Sequence, residues 1–255
     1  MTNRVRHAGY DEQQIDYIYD SRGLFIYRSF LSDEEIAAAK NCCGSLSFMP
    51  EVWAPEQLRA SDIANRPDYL GELNVRLRDH GITHRLVGYP ARLLESYALD
   101  RKCGRLDLHG GASEFLVGGE TIDISAKSWV QHQRLYSLRL KVIIYLDDVL
   151  DQNAGRFLYI EGSHKASFSF HRAFRGGRST AHELTRTLEL RAGDAIWLNE
   201  ALLHGAESKI SQGRRRLLAY SYGPAFMSNW VELGATSASQ DKGYFPVETE
   251  QGSDG

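Results

Sequence analysis

The stretch LRLKVIIYLDD at residues 138–148 is the strongest strand pattern in the chain, because it is rich in β-branched and aromatic residues. Further runs of this kind follow at Arg156 to Ile160, Thr185 to Leu190, Ala195 to Leu198 and Arg216 to Tyr222. Turn-forming residues separate them: QNAG at 152–155, EGS at 161–163, RAGD at 191–194 and SQG at 211–213. Short strands at this spacing predict a mainly β fold, a sandwich or a closed double-sheet barrel of the jelly-roll or cupin kind.

Upstream of this region the pattern changes towards helix. In GLFIYRSFLSDEEIAAAKN at residues 23–41, a short strand pattern precedes Ser32 and Glu35, which form a capping-box signature before an alanine-rich helix. Apolar residues recur at helical spacing over Tyr69 to Asp79 and Ala91 to Leu99. We predict a single domain over residues 1–235, with a mostly helical flank at 1–100 packed on one outer face of a β core at 104–224. The polar residues 236–255 are predicted to form a mobile tail.

The composition is that of a folded globular protein. The chain has 255 residues, of which 42% are hydrophobic and 25% charged, and its net charge is −3. This balance indicates neither a nucleic-acid polymer nor a membrane surface as partner. No apolar run approaches the roughly 18 residues that a membrane span needs, and the N-terminus lacks the apolar core of a secretory signal, so we predict a cytoplasmic protein. Cys42, Cys43 and Cys103 are odd in number and form no C-x-x-C motif, which favours reduced thiols over disulfides or a zinc site.

Two of the nine histidines are placed where strands end. His109 closes the strand pattern at 104–108 and is followed by Gly110 and Gly111, where the backbone can approach a bound group closely. His204 follows the strand Ala195 to Leu198. Histidines at the ends of different strands of one barrel can converge on one metal ion, because neutral imidazole binds iron, copper, nickel and zinc.

Arg215 lies eleven positions after His204, within the run Arg214-Arg215-Arg216. Because side chains alternate along a strand, Arg214 and Arg216 share one face and Arg215 takes the other. An arginine directed into the barrel needs a partner, and its planar guanidinium suits a carboxylate. A solvated basic edge explains Arg214 and Arg216 well and Arg215 less well.

Several of these stretches together resemble the phytanoyl-CoA dioxygenase family, from about residue 20 to 225. They are LHGG at 108–111, LRLKVIIYLDD at 138–148, GRFLYIEGSHK at 155–165, RAGDAIWLNEALLHG at 191–205, and GRRRLLAYSYGP at 213–224. The resemblance implies a double-stranded β-helix and an oxygenase that depends on non-haem iron(II), 2-oxoglutarate and O2. It also implies that His109 and His204 bind the iron and that Arg215 binds the distal carboxylate of 2-oxoglutarate.

The chain departs from the family pattern at one position. The usual ligand set is His-x-Asp with a distal histidine, but the carboxylate position is Gly111 in this chain. In this superfamily a glycine there is typical of halogenases, in which chloride binds the iron in place of the carboxylate. The resemblance therefore implies a halogenase that converts an unactivated C–H bond to C–Cl, with Gly111 at the halide position. Loss of an anionic ligand makes room for an anionic halide.

Three alternatives stay open at this point. A hydroxylase could use water at the vacant position, or take a carboxylate from Asp107 or Glu114. The first metal ligand could be His132 in QHQR at 131–134 instead of His109, although that motif also lacks a carboxylate. The chain could also be a non-catalytic cupin-like binding module.

The substrate is predicted to be a small molecule. Arg172, Arg175 and Arg178 make the long stretch 166–183 basic, and they could capture a phosphate or carboxylate of the substrate. The resemblance extends to nucleotide halogenases of antibiotic biosynthesis, which implies a substrate such as deoxyadenosine monophosphate. Trp129, Tyr136, Phe168 and Phe170 could stack on a base. Arg139 and Lys141 face the same way on their strand and would need anionic partners if they point inward. No oligomeric state is predicted.

Overall fold

The computed structural model describes residues 6–7, 9–51, 54–110, 113–117, 120–124, 128–166 and 183–227. Its helices are α1 (Glu12–Arg22), α2 (Asp33–Gly44), α3 (Tyr69–Arg78) and α4 (Gly81–Val87). The strands before residue 110 are β1 (Arg6–His7), β2 (Tyr10–Asp11), β3 (Leu24–Tyr27), β4 (Met49–Glu51), β5 (Ala54–Ser61), β6 (Ala91–Arg101) and β7 (Gly104–His109). The strands after it are β8 (Ser113–Val117), β9 (Glu120–Ile124), β10 (Ser128–Gln131), β11 (Arg134–Ser137), β12 (Leu140–Tyr145), β13 (Phe157–Ile160), β14 (Thr185–Leu188), β15 (Ala195–Asn199), β16 (His204–Lys209) and β17 (Arg215–Pro224).

Two antiparallel sheets form the core of the domain. The larger sheet has the strand order β3-β15-β12-β17-β6-β5-β4, and the smaller has the order β14-β13-β16-β7. Three two-stranded pairs, β1-β2, β8-β9 and β10-β11, lie outside these sheets. The mainly β, cupin-like single domain predicted from the sequence is confirmed.

The central strand β12 shows why the larger sheet forms from this sequence. Val142 and Ile144 pack against the helices, whereas Ile143 and Tyr145 pack between the two sheets. All four side chains are buried, because the sheet is covered on both faces. A strand covered on both faces reads as a continuous apolar run, which is the pattern that identified this stretch.

The helices cover the outer face of the larger sheet. The predicted capping box is present at α2, where the Ser32 side chain accepts from the Glu35 backbone and the Glu35 side chain accepts from the Ser32 backbone. Leu70 and Leu73 of α3 belong to the same buried cluster as Trp197 of β15. The described residues contain no helix that is both long and apolar enough to span a membrane.

One helix prediction is wrong. Ala91 to Leu99 belongs to the long strand β6, which pairs with β17 on one side and β5 on the other. The apolar residues of so short a segment fit either period, and pairing with two neighbouring strands decided between them. The first hundred residues therefore combine the four α-helices with the strands β1 to β6.

Candidate functional site

The two histidines singled out in the sequence lie directly opposite each other on neighbouring strands of the smaller sheet. His109 is the last residue of β7 and pairs in register with His204, the first residue of β16. Their ring centroids are 4.3 Å apart, and His204 is 6% exposed. The ring of Phe157 on β13 stacks against His204 at 5.7 Å. Cross-strand pairing thus brings together two imidazoles that are 95 positions apart in sequence, as 204 minus 109 gives.

Backbone hydrogen bonds orient both rings in the same way. Nδ1 of His109 lies 2.9 Å from the carbonyl oxygen of Asp107, and Nδ1 of His204 lies 2.8 Å from that of Leu202. A ring nitrogen bonds a carbonyl oxygen as an N–H donor, so the lone pair of each ring is on Nε2. Burial and the neighbouring His109 lower the pKa of His204 well below its ordinary value, which keeps that imidazole neutral. A neutral imidazole with its lone pair on Nε2 is the form that binds a metal ion.

Two glycines permit the close approach of these strands. Gly110 has a φ of +90°, and a Cβ there would lie 2.7 Å from the carbonyl oxygen of Leu202. A Cβ on Gly205 would lie 2.5 Å from the carbonyl oxygen of Leu106. A larger residue at either position would push β7 away from β16, so these glycines set the separation of the histidines.

Arg215 also faces the space between the sheets. It is the first residue of β17 and is 4% exposed, and its Nη2 donates to the hydroxyl of Tyr145 over 2.9 Å. Its neighbours in sequence point the other way, where Arg214 pairs with Asp100 and Arg216 pairs with Asp147. The predicted alternation of the three arginines is therefore present, with Arg215 inside the barrel.

A cavity of about 250 Å³ connects the histidines with Arg215. Leu99, Leu106, Ile143, Phe157 and Leu217 contribute apolar surface to it. Gln57 of β5 lines the end near Arg215. The histidine pair and the buried arginine thus face one common space.

A set of six charged side chains, which we call the charged wall, lies along this cavity. Arg59, Arg139, Lys141, Glu51 and Glu95 line the cavity, and Glu200 pairs with two of them from behind the lining. Arg139 donates to Glu95 over 2.9 Å and also pairs with Glu200, which pairs in turn with Lys141. The guanidinium of Arg59 lies 4.0 Å from the centre of the Tyr97 ring. Arg139 and Lys141 do face the same way and do have anionic partners, as the sequence led us to expect.

The wall keeps Lys141 and Glu95 ionised although both side chains are largely removed from water. Burial alone would lower the pKa of Lys141, but Glu200, Tyr97 and Glu95 outweigh this and raise it. Burial alone would raise the pKa of Glu95, but Lys141, Arg139 and Arg59 outweigh this and lower it. Each charge is therefore stabilised by its opposite neighbours.

The described residues provide no third protein ligand for a metal beside the two histidines. Among them, no group of three His, Cys, Asp or Glu side chains has the geometry to hold a metal ion. Asp107 is instead 3.0 Å from Arg105 in an ion pair, with its side chain 45% exposed. Gly111 itself lies outside the described residues, as does the side chain of Glu114 on β8.

The structure argues against His132 as an alternative first ligand. It occupies the turn between β10 and β11 with a φ of 50°, and its side chain is exposed to solvent. His164 is buried, and its Nε2 lies 3.0 Å from the carbonyl oxygen of Asp20, away from the cavity lining. The histidine pair is thus His109 and His204.

The substrate-binding predictions fall mostly on residues that the structure does not describe. Arg172, Arg175, Arg178, Phe168 and Phe170 lie outside the described residues, and so does the tail at 236–255. Trp129 and Tyr136 stack on each other at 5.1 Å, and Tyr136 packs beside Gly88 at the end of α4. Their stacking therefore explains these two aromatic residues without a ligand.

Two sheets that hold a pair of opposed histidines and a buried arginine around one cavity are typical of cupin-like metal-dependent oxygenases. The model of the phytanoyl-CoA dioxygenase (PhyH) family matches residues 19–217. The chain belongs to this family of iron- and 2-oxoglutarate-dependent oxygenases. Among proteins with curated descriptions, none matches the chain.

Solved structures of similar fold agree with this assignment. HygX from Streptomyces hygroscopicus, with nickel and 2-oxoglutarate bound, is 31% identical over 85% of this chain and 88% of its own, with a TM-score of 0.77. The epimerase SnoN from nogalamycin biosynthesis is 18% identical over 84% of this chain and 80% of its own, with a TM-score of 0.63. AviO1 from Streptomyces viridochromogenes Tue57 is 14% identical over 84% of this chain and 96% of its own, with a TM-score of 0.58. At these identities, SnoN and AviO1 show a shared fold only.

Sequence reasoning missed several residues of the site. Arg59 and Glu95 of the charged wall carried no motif, and Glu200 was not singled out within the stretch 191–205. Arg101, which lies beside Arg215, was not considered. No signal in the sequence pointed to Arg101, because Asp100 and Lys102 flank it and make it look like part of a solvated charged segment. Its proximity to Arg215 depends on strand pairing and could not be read from the sequence.

Proposed function

We propose that the protein is an iron(II)- and 2-oxoglutarate-dependent halogenase that replaces an unactivated C–H bond of a small molecule with C–Cl. The observation that carries this proposal is the ligand set: two opposed histidines, a glycine at the family's carboxylate position, and no third ligand among the described residues. An iron site with only two protein ligands has room for an anionic ligand from solution. Chloride has the charge that the missing carboxylate would have supplied.

The residues of the cavity fit these cofactors. We assign His109 and His204 to iron(II), since their carbonyl-bonded Nδ1 atoms leave Nε2 as the ligating atom. We assign Arg215 to the distal carboxylate of 2-oxoglutarate, because its buried Nε has no hydrogen-bond partner within the protein. Iron, 2-oxoglutarate and O2 together supply the oxidising power that removes hydrogen from carbon. His109, His204 and Arg215 would hold these groups in one cavity, which Leu99, Leu106, Ile143, Phe157 and Leu217 line with apolar surface.

The charged wall supports a polar small molecule as substrate. A HygX structure with nickel and 2-oxoglutarate also contains hygromycin B, a small molecule bound by a protein 28% identical to this chain. Each cation of the wall already has a carboxylate partner, so a substrate phosphate would depend on Arg172, Arg175 and Arg178 instead. We keep a nucleotide such as deoxyadenosine monophosphate as the proposed substrate on that basis. The three free cysteines suit a reaction in the cytoplasm.

A hydroxylase is the second candidate function. Glu114 follows His109 by five positions, as 114 minus 109 gives, on the hairpin strand β8. Its carboxylate could replace the missing ligand, in which case the iron would have the usual set of two histidines and one carboxylate. Hydroxylation would then be the expected outcome.

The first test follows the visible charge-transfer band of iron(II) with 2-oxoglutarate under argon, with and without chloride. A halogenase should give a band that shifts saturably with chloride, because the halide binds at or beside the iron. The His204→Ala variant is the control and should give no band, since it lacks one of the two metal ligands. A wild-type band that does not respond to chloride, even with candidate substrates present, would contradict halide binding.

The second test restores the family's carboxylate. Gly111→Asp should abolish chlorination of an accepted substrate, with hydroxylation as the residual activity, as followed by mass spectrometry of the products. Gly44→Asp is the matched control. Gly44 is the last residue of α2, and a Cβ there would have no atom within 4 Å. Equal chlorination by Gly111→Asp and the parent would show that position 111 does not border the halide.

A further inference from the structure

A second arginine lies beside Arg215 inside the barrel. Arg101 is the last residue of β6 and pairs in register with Arg215 of β17. Residues directly opposite each other on neighbouring strands project from the same face of the sheet. Arg101 is 1% exposed and Arg215 is 4% exposed, so both guanidiniums are removed from water.

Neither guanidinium forms an ion pair with a carboxylate among the described residues. Arg101 donates from Nη2 to the side-chain oxygen of Gln57, and its Nη1 has no hydrogen-bond partner. Arg215 donates from Nη2 to Tyr145, and its Nε has no partner. Both acceptors are neutral, so the two positive charges are not compensated by the groups they touch.

The carboxylate next to Gln57 is already engaged. Glu51 accepts from the side-chain amide of Gln57 and lies 3.3 Å from Arg59. Burial and the charge of Arg215 lower the pKa of Arg101 to about 10, which still leaves it charged at neutral pH. Two buried like charges repel each other and have lost their hydration, and both effects are unfavourable. An anion bound between them would offset the repulsion and replace the lost hydration.

We propose that Arg101 and Arg215 together form the pocket for the distal carboxylate of 2-oxoglutarate, with Arg101 as a second cofactor-binding residue. The pocket then selects 2-oxo acids that carry a second carboxylate. The unpartnered N–H groups of the two arginines are the donors available to that carboxylate, and Gln57 holds the guanidinium of Arg101 in place. This inference rests on 2-oxoglutarate as cofactor and is independent of whether chloride or oxygen is transferred.

The alternative is that Arg101 only supports the fold through Gln57 and Glu51. The two roles differ in what they predict for the protein without cofactor. A supporting residue stabilises the fold, so its loss lowers the melting temperature. An uncompensated buried cation costs stability until its anion binds, so its replacement by an apolar side chain leaves the melting temperature unchanged or raises it.

The experiment measures binding and stability of the full chain loaded with nickel(II), which prevents turnover. Isothermal titration with 2-oxoglutarate is compared with titration with 2-oxopentanoate, which has the same length but no second carboxylate. Arg101→Met should weaken 2-oxoglutarate binding by about tenfold or more and leave 2-oxopentanoate binding unchanged. Its melting temperature without 2-oxoglutarate should not fall below that of the parent. Arg105→Met, which removes an exposed arginine of the next strand, is the control and should change neither affinity.

Unchanged 2-oxoglutarate affinity in Arg101→Met, with a lower melting temperature, would overturn the proposal in favour of the supporting role. Should that variant not fold, Arg101→Lys decides: a severalfold loss for 2-oxoglutarate alone supports the proposal, and no change overturns it. Arg215→Met is measured in parallel. If Arg215→Met also binds 2-oxoglutarate normally, the assignment of the whole pocket is wrong. If only Arg101→Met binds it normally, the assignment of Arg215 stands.

Discussion

Two groups of cations in and beside the cavity are in opposite states of charge balance. In the charged wall, Arg59, Arg139 and Lys141 each have a glutamate partner. In the second group, Arg215 in the cavity lining and Arg101 beside it touch only the uncharged groups of Tyr145 and Gln57. Burying a charge is costly unless it is paired, so the wall is complete within the protein and the arginine pair is not. An unbalanced buried charge, more than a dense charge cluster, therefore indicates where a charged ligand binds.

The largest expected effect is a difference in 2-oxoglutarate affinity between a variant of the arginine pair and a variant of the charged wall. Arg215→Met should weaken binding of 2-oxoglutarate to the nickel-loaded protein by about a hundredfold or more, because it removes a buried charged partner of the ligand. Arg139→Met, in the wall, should change that affinity by no more than about threefold, since the charge of Arg139 is already used by Glu95 and Glu200. Isothermal titration calorimetry measures the dissociation constant of 2-oxoglutarate for both variants. Comparable losses of 2-oxoglutarate affinity in the two variants would mean that the arginine pair and the charged wall do not differ in this way.

The next effect concerns the stability of the wall. Glu200→Gln removes the carboxylate that Arg139 and Lys141 share. The free energy of unfolding should fall by about 2 kcal/mol, less than for a fully buried pair, because the side chain of Arg139 is 44% exposed. Urea denaturation measures the change. Asp79→Asn serves as control, because the pair it breaks with Arg78 is largely exposed and should contribute little.

A compensating variant sharpens this prediction. Replacing Lys141 with Met together with Glu200→Gln removes both members of a buried pair, so part of the lost stability should return. If the double variant is as unstable as the sum of the single ones, the two side chains do not depend on each other, and the wall is not a balanced network.

The smallest effect is a pH dependence. The pKa of Glu95 is lowered in the folded protein, so Glu95 contributes stability above its unfolded pKa and loses it as the pH falls through the folded value. The parent should therefore be more stable than Glu95→Gln at neutral pH, and the difference should shrink at about pH 4 and below. Urea midpoints of both proteins across this range measure the difference. A gap that stays constant or widens on acidification would contradict the assigned direction of the pKa.

Much of the fold could be predicted because it depends on local patterns. The capping box at Ser32, the helix α3 and the strand run around Val142 follow from propensity and periodicity. Ala91 to Leu99 was predicted wrongly because a short apolar segment fits two periods, and its strand partners lie far away in sequence. Local signals cannot report such distant partners.

The same distinction between local patterns and distant contacts separates the site residues that were predicted from those that were missed. His109, His204 and Arg215 were predicted because each stands at a strand end or within an alternating run that resembles a known family. Glu95 and Arg101 were missed because no motif surrounds them, and Glu200 was missed although it lies within the quoted stretch 191–205. The importance of all three comes from the charged groups that they face. A single buried charge carries little information until its neighbours are known.

The sequence by itself determined the β character of the core, the positions of the two histidines and the absence of a side chain at Gly111. Only the tertiary structure decided that His109 lies opposite His204, that Arg101 lies beside Arg215, and that each cation of the wall has a carboxylate partner. The physical reason is that side-chain identity and periodicity are local properties of the chain. Charge compensation, in contrast, depends on distances between strands that are remote in sequence, and these exist only once the two sheets have packed together.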